Sequence, residues 1–218
     1  ESMRYFLSVP DGDGLRRSVI KDLRQGTGGT PVPERDFLHQ YLTLTRCDLF
    51  FADKAVLIEG TSERLLLPAM IRKADAGVVG EQQLGSQYLT VMEVGGAYAH
   101  RFFDLLTFLE LRTLIITDID AVKPNEKNKR VAVPVAEGQF TSNGCLKAWF
   151  GDDVSPAELL AKTPEDKVAN GRRLAFQIPE VAGGACGRSF EDAFILANPA
   201  LFVLGEGDKA ALAYDLAA

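Results

Sequence analysis

Three carboxylates sit where a parallel strand would leave its core, and a fourth follows one helical turn on. In "KAVLIEGTSERLLLP" the apolar run Val56-Leu57-Ile58 is followed at once by Glu59, a Gly-Thr-Ser turn, and Glu63 at the opening of a helix. In "LRTLIITDIDAV" the run Leu114 to Ile116 is followed by Asp118 and Asp120. Ligand sites in open α/β sheets lie beyond the carboxyl ends of the strands. Residues i and i+2 of an extended chain share a side, so Glu59, Asp118 and Asp120 are expected at one sheet edge, with Ile119 turned to the core. Carboxylates crowded together repel, and some must then hold protons unless a cation joins them. Hard oxygen donors without His or Cys select Mg2+ or Mn2+ over zinc. Two such ions about 3.5–4 Å apart activate a water and stabilise the leaving oxygen of a phosphodiester.

Each acid also has a structural use to set against this. Glu63 in a first helical turn gains about 0.3–1 kcal/mol from the helix dipole. A lone D-x-D is also common in ordinary loops. In "GRSFEDAFI", Ser189 followed three residues later by Asp192 fits the S-x-x-D capping box. That gives Asp192 a structural task and leaves Glu191, on a different helical face, as the candidate fifth ligand. Thr117 and Ser189 are placed for outer contacts, with core packing and N-capping as their simpler uses.

The elements that must position these residues follow from the apolar patterning. Ala55–Ile58, Tyr88–Val94 and Thr113–Thr117 read as strands, separated by helices over Ser62–Ala74 and Ala97–Leu111. Short apolar runs alternating with helical patterns specify βαβ units and a parallel sheet. Residues 1–50 read as an N-terminal segment packing on the core, with a short apolar stretch at Tyr5–Val9, a helix near 14–24, a Gly/Pro-rich loop, and a helix over 37–51. Residues 51–122 and 174–218 read as the core, the second part holding a strand at Leu174–Ile178, the helix "SFEDAFILA" and a last helix in "DKAALAYDLAA". The segment 123–173 between them reads as a smaller, mainly helical insert, with helical patterns at Cys145–Phe150, 155–162 and 164–173.

Composition bounds the rest. Across 218 residues, 46% hydrophobic and 25% charged is ordinary for a globular protein, and no apolar run approaches the ~20 residues of a membrane helix. No signal peptide is visible at the start, and the three cysteines are odd in number, far apart and without C-x-x-C spacing. Reduced thiols in a cytoplasmic protein, rather than a zinc site, are the expectation. The net charge of −6 weighs against nucleic-acid binding, unless bound divalent cations reverse the local sign. The basic clusters Lys123–Arg130 and Arg172-Arg173 read as solvated loops.

With these residues in place the chain resembles the Toprim fold, whose pattern is a Glu after the first strand, a Gly after the second and D-x-D after the third. Here these are Glu59, Gly95 or Gly96, and Asp118 with Asp120. More specifically, "YLTLTRCDLFFADKAVLIEGTSERLLLP", "LIITDID" and "SFEDAFI" resemble the OLD (overcoming lysogenization defect) family of nucleases. The resemblance implies a DNA endonuclease that uses Mg2+ or Mn2+, two ions, with Glu59, Glu63, Asp118, Asp120 and Glu191 as metal ligands. It implies Lys209 as a catalytic lysine acting at the transition state. It also implies an ATPase domain N-terminal to this region in the intact protein, DNA as partner, and a homo-oligomer formed through that preceding region. No G-x-x-x-x-G-K-[ST] occurs in these residues.

Two other readings stand beside this one. A Toprim domain can serve as a non-catalytic module that binds DNA or a partner. "IITDIDAV" also fits the hhhhDxDx[TV] motif of haloacid-dehalogenase-like phosphatases, with Asp118 as nucleophile. That motif usually follows a first strand, whereas well over a hundred residues precede it here, and it leaves Glu59 and Glu63 unused.

Overall fold

The computed structural model describes residues 4–22, 47–95, 98–204 and 209–217. It opens on an antiparallel hairpin, β1 (Arg4–Asp11) paired with β2 (Leu15–Asp22). The expectation of a helix near 14–24 is thus corrected to a strand as far as Asp22. The reason lies in the loop Gly12-Asp13-Gly14, whose φ values of 36°, 41° and 75° are all left-handed. Such a three-residue loop turns a hairpin tightly. Lys21 anchors the ribbon, its Nζ donating to Phe108 O at 2.6 Å and to Glu110 Oε1 at 2.7 Å. Most of the helix expected over 37–51 lies outside the described residues, and Cys47–Phe50 is a single 3-10 turn.

The next elements run β3 (Lys54–Ile58), α1 (Thr61–Asp75), β4 (Leu89–Glu93), α2 (Phe103–Leu109) and β5 (Arg112–Ile116). The helix expected over 97–111 starts as a 3-10 turn, Ala99–Phe102, before α2, a common way to begin a helix. A small antiparallel sheet follows in the order β7-β6-β8, from β6 (Ala121–Pro124), β7 (Arg130–Ala132) and β8 (Phe140–Thr141). Helices α3 (Gly144–Phe150) and α4 (Pro156–Leu160) come next. The helical pattern expected over 164–173 is instead a hairpin of β9 (Val168–Ala169) and β10 (Arg172–Ala175). Its two-residue loop is Asn170-Gly171, at φ 50° and 74°, the Asn-Gly pair that this turn favours. The segment 123–173 therefore holds short strands as well as helices. Helices α5 (Phe190–Ala197) and α6 (Lys209–Ala217) close the chain.

The main sheet has the order β4-β3-β5-β10-β9, parallel except for β9 at one edge. The fold is α/β, a mostly parallel sheet flanked by helices. Alternate residues of the central strands go to opposite faces. Ala55, Leu57, Met92, Ile115 and Leu174 join the larger core with Phe102, Leu105 and Leu106. Val56 and Ile58 pack with Leu67 of α1 on the other face. Burial on both faces is why these strands read as continuous apolar runs, and each fully buried Leu, Ile, Met or Phe among them contributes about 1.5–3 kcal/mol. With α1 on one face and α2 on the other, the chain steps from β3 out to β4, then back across to β5. The strand order thus reverses at β3 and β5, the switch point beyond whose carboxyl ends open α/β sheets place their ligands.

Arg172 of the expected solvated cluster is buried. Its guanidinium lies over the Phe103 ring, 4.5 Å from the centroid, and donates to Phe103 O at 2.7 Å.

Candidate functional site

Strand register assembles the site. Leu57 pairs with Ile115 across β3 and β5, and Ile116 pairs with Ala175 across β5 and β10. Two residues further along, the same register sets Glu59 beside Thr117 and Gln177 beside Asp118. The contacts follow it. Glu59 Oε1 accepts from the Thr117 hydroxyl and from the Asp118 N–H at 3.1 Å. Gln177 Nε2 donates to Asp118 Oδ1 at 2.6 Å, while its Oε1 accepts from the Ile119 N–H at 2.9 Å. Ile119 is fully buried, as the alternation requires.

The D-x-D segment reaches the site by a different backbone path from the extended one expected. Strand β5 ends at Ile116, and Asp120 takes a left-handed conformation at φ 50°, which Asp tolerates better than most residues. Its N–H donates to Arg188 O at 3.1 Å, and its carbonyl accepts from the Ser142 N–H at 2.9 Å. The Arg188 guanidinium pairs with Asp120 Oδ1 at 3.0 Å and also donates from Nε to Ala121 O at 3.1 Å.

The acids act on one another's protonation, although burial is the larger influence. Burial pushes the Asp118 carboxyl from an ordinary 3.8 up to about 8, and Glu59, Asp120 and Glu63 add to the rise against the Gln177 bond. Glu63 is buried and also raised, chiefly by burial; the N–H groups of Glu63 and Gly60 oppose this, and Glu191 and Glu59 repel it. Its Oε2 accepts from the Gly60 N–H at 3.1 Å, so it caps α1 while facing the cluster. Glu191 is exposed and accepts from Ser62 Oγ at 2.5 Å, joining α5 to α1. Burial works upward on Glu191, but hydrogen bonds from Ser62, its own backbone and Ser189 hold it below the usual range.

Neighbouring residues have the capping tasks expected of them. Ser189 Oγ accepts the Asp192 N–H at 3.3 Å, and the buried Asp192 carboxylate accepts the Arg188 N–H at 2.9 Å and the Ser189 hydroxyl at 3.2 Å. Gly95, after β4, has φ 67°, a conformation that suits the glycine of the pattern; Gly96 lies outside the described residues. Lys209 is exposed in the first turn of α6.

Three partners of the acids carry no motif: Asn143, Gln177 and Arg188. Asn143 is fully buried. Its Oδ1 accepts the Cys145 and Leu146 N–H groups at 3.0 and 3.2 Å, capping α3. Its Nδ2 donates to Glu59 Oε1 and Thr117 Oγ1, both at 2.9 Å, and lies 3.4 Å from Asp120 Oδ2. An Asn before the apolar run "CLKAWF" is a legible N-cap signal, but its reach to Glu59 has no local signature.

Among the described residues, no three or more His, Cys, Asp or Glu side chains stand close enough, as placed, to hold a metal ion. The donor chemistry fits a hard divalent cation nonetheless. The edge offers carboxylate and hydroxyl oxygens, and the repulsion that raises Asp118 is of the kind a bound cation relieves. Glu59 meets its donors through Oε1 and Asp118 through Oδ1, so Glu59 Oε2 and Asp118 Oδ2 have no protein donor among the described residues. Cys145 lies near Glu59 but is buried, its thiol pushed up to about 12 chiefly by that burial.

A parallel α/β sheet with a Glu beyond one strand and D-x-D beyond its neighbour is a Toprim arrangement. Residues 50–120 match the family model described as the overcoming lysogenization defect protein-like TOPRIM domain, and the chain carries a Toprim domain of this OLD-like family. It is similar to endonuclease GajA of Bacillus cereus (strain HuB5-5), 30% identical over 165 residues that make up 74% of this chain. The matched part is 22% of that relative's length. No solved structure matches. No helix among the described residues is long and apolar enough to cross a membrane.

Proposed function

We propose that this chain is the nuclease part of a longer OLD-family protein and hydrolyses DNA phosphodiester bonds as a Mg2+- or Mn2+-dependent endonuclease. The observation that carries the reading is the convergence of Glu59, Asp118 and Asp120 at the carboxyl edge of adjacent strands, with Asp118 raised to about 8 by burial and by its acidic neighbours. The endonuclease relative supports the reaction class. Its greater length, with the family resemblance, supports a further domain in the intact protein, for which an ATPase is our reading.

Glu59, Asp118 and Asp120 would hold the ions, two in our reading, with Glu63 and Glu191 on the side of α1 and α5. When bound, such ions activate a water and neutralise charge on the phosphate. The chain's own residues do the orienting. Thr117 and the Asp118 N–H turn Glu59 by one oxygen, Gln177 fixes Asp118, and Arg188 sets a guanidinium 3.0 Å from Asp120. The cations would also offset the acidic surface that otherwise disfavours a polyanion.

The test is nicking of supercoiled plasmid by the purified chain with Mn2+ or Mg2+, which EDTA and Asp118→Ala should each abolish. Metal-dependent cleavage that survives Asp118→Ala would overturn the assignment. Turnover of small phosphate monoesters without nicking would point instead to the phosphatase chemistry of D-x-D.

A further inference from the structure

We propose that Asn143, in the segment between β5 and β10, is the positioning residue of this carboxylate edge, setting Glu59 and Asp120 for a divalent cation. The inference rests on reading the acids as a cation site. Asn143 lies outside the residues that match the Toprim family model.

The geometry gives the amide a single workable orientation. Oδ1 already takes two N–H groups at the start of α3, Cys145 at 3.0 Å and Leu146 at 3.2 Å. A flipped amide would aim its NH2 group at those donors and lose both bonds. Nδ2 must therefore face the acids, where Glu59 Oε1 and Thr117 Oγ1 accept at 2.9 Å and Asp120 Oδ2 lies at 3.4 Å. With the side chain fully buried, any of these groups left unpaired would have no water to replace its partner.

The backbone around it is held as firmly. The Asn143 N–H donates to Thr141 Oγ1 at 3.0 Å, and that hydroxyl donates to Ile119 O at 2.6 Å. The Ser142 N–H donates to Asp120 O at 2.9 Å. Residues 141–143 are thus bonded directly to the D-x-D turn, and Asn143 extends the bonding across to β3. Its donor adds to those from Thr117 and Asp118 on a single oxygen of Glu59. Glu59 Oε2 is thereby left for a ligand. Helix capping alone does not require this side chain. Ser, Thr or Asp caps comparably, but none of them carries the NH2 donor that meets Glu59.

That difference supplies the test. Asn143→Ser keeps a capping oxygen but is too short to reach Glu59 and Asp120, and Asn143→Thr repeats the change with more of the volume filled. Ser155→Ala is the control. It removes the cap of α4, where Ser155 Oγ accepts the Glu158 N–H at 3.2 Å, away from the acids. Binding of Mn2+ alone is titrated by the electron paramagnetic resonance signal of the free ion, with folding followed by circular dichroism. Both Asn143 variants should bind Mn2+ about 10–100-fold more weakly than wild type, and Ser155→Ala should match wild type. Wild-type affinity in the Asn143 variants would reduce Asn143 to a helix cap and overturn the proposal alone. Equal weakening by Ser155→Ala would overturn it too, by tracing the effect to general destabilisation. A wild-type chain that takes up no Mn2+ would overturn the cation-site reading, and the positioning role with it.

Discussion

Replacing Asp118 with Asn should make the metal-free protein more stable, and increasingly so as pH rises. In the folded chain burial and the neighbouring acids keep the Asp118 proton on until about pH 8, against an ordinary value of 3.8. A folded-state value raised in this way means that the unfolded chain gives up its proton first. Wild-type stability from this group is therefore full below about pH 4, falls as pH rises through the window to about 8, and is flat beyond it. Each decade is worth about 1.4 kcal/mol, so the span corresponds to at most about 6 kcal/mol. Asp118 is only partly buried, so solvent reduces this, and about 2–4 kcal/mol is the expected gain at pH 8.5. Asn keeps the shape of Asp and an oxygen for the Gln177 bond, and it carries no charge to be desolvated. The assay is urea unfolding of both proteins in EDTA at pH 4.5, 6.5 and 8.5. The difference between them should be small at the lowest pH and grow upward. The rise at Glu63 has the same sign in both proteins and largely cancels. A difference that stays constant with pH, or an Asp118→Asn variant less stable than wild type at pH 8.5, would refute the reasoning. A gain in stability together with loss of plasmid nicking would mark Asp118 as held in place for chemistry at a cost to the fold.

Two further outcomes separate functional from structural groups. Glu191→Ala should cut nicking at least tenfold while changing urea stability by less than about 1 kcal/mol, because its carboxylate is exposed. Asp192→Ala, one residue on, should lower urea stability by about 1–3 kcal/mol, because its buried carboxylate accepts the Arg188 N–H and the Ser189 hydroxyl. Cys145 and Cys186 should resist iodoacetamide at pH 8 in the native protein and react in urea. Burial raises their thiols to about 12 and about 11, and the thiolate is the reactive form. Prompt native labelling of either, read by peptide mass, would contradict this.

The central β3–α1–β4–α2–β5 unit was legible because buried parallel strands leave uninterrupted apolar runs, and helices leave a repeating stripe. Two helices expected from local pattern were strands. In each case the deciding signal was the turn, Gly12-Asp13-Gly14 in one and Asn170-Gly171 in the other, and not the residues on either side. Ser189 and Asp192 were readable as a cap because capping is settled within four residues. Asp120 shows the limit of such local rules. The spacing that marks it is real, but a left-handed turn, rather than an extended strand, delivers it.

Residue type and spacing alone determined which acids stand beyond the strand ends, since Glu59 follows directly on its apolar run and Asp118 and Asp120 come within four residues of theirs. Only the tertiary structure decided how those acids are held. Asn143 reaches Glu59 across 84 positions and Gln177 reaches Asp118 across 59, because strand register and the return of β10 bring them alongside. Arg188, which no motif marks, sets a cation beside Asp120 because the chain before α5 bonds to the D-x-D turn. A hydrogen bond needs two groups within about 3 Å, and for residues this far apart in the chain that closeness is set by the packing of strands and helices.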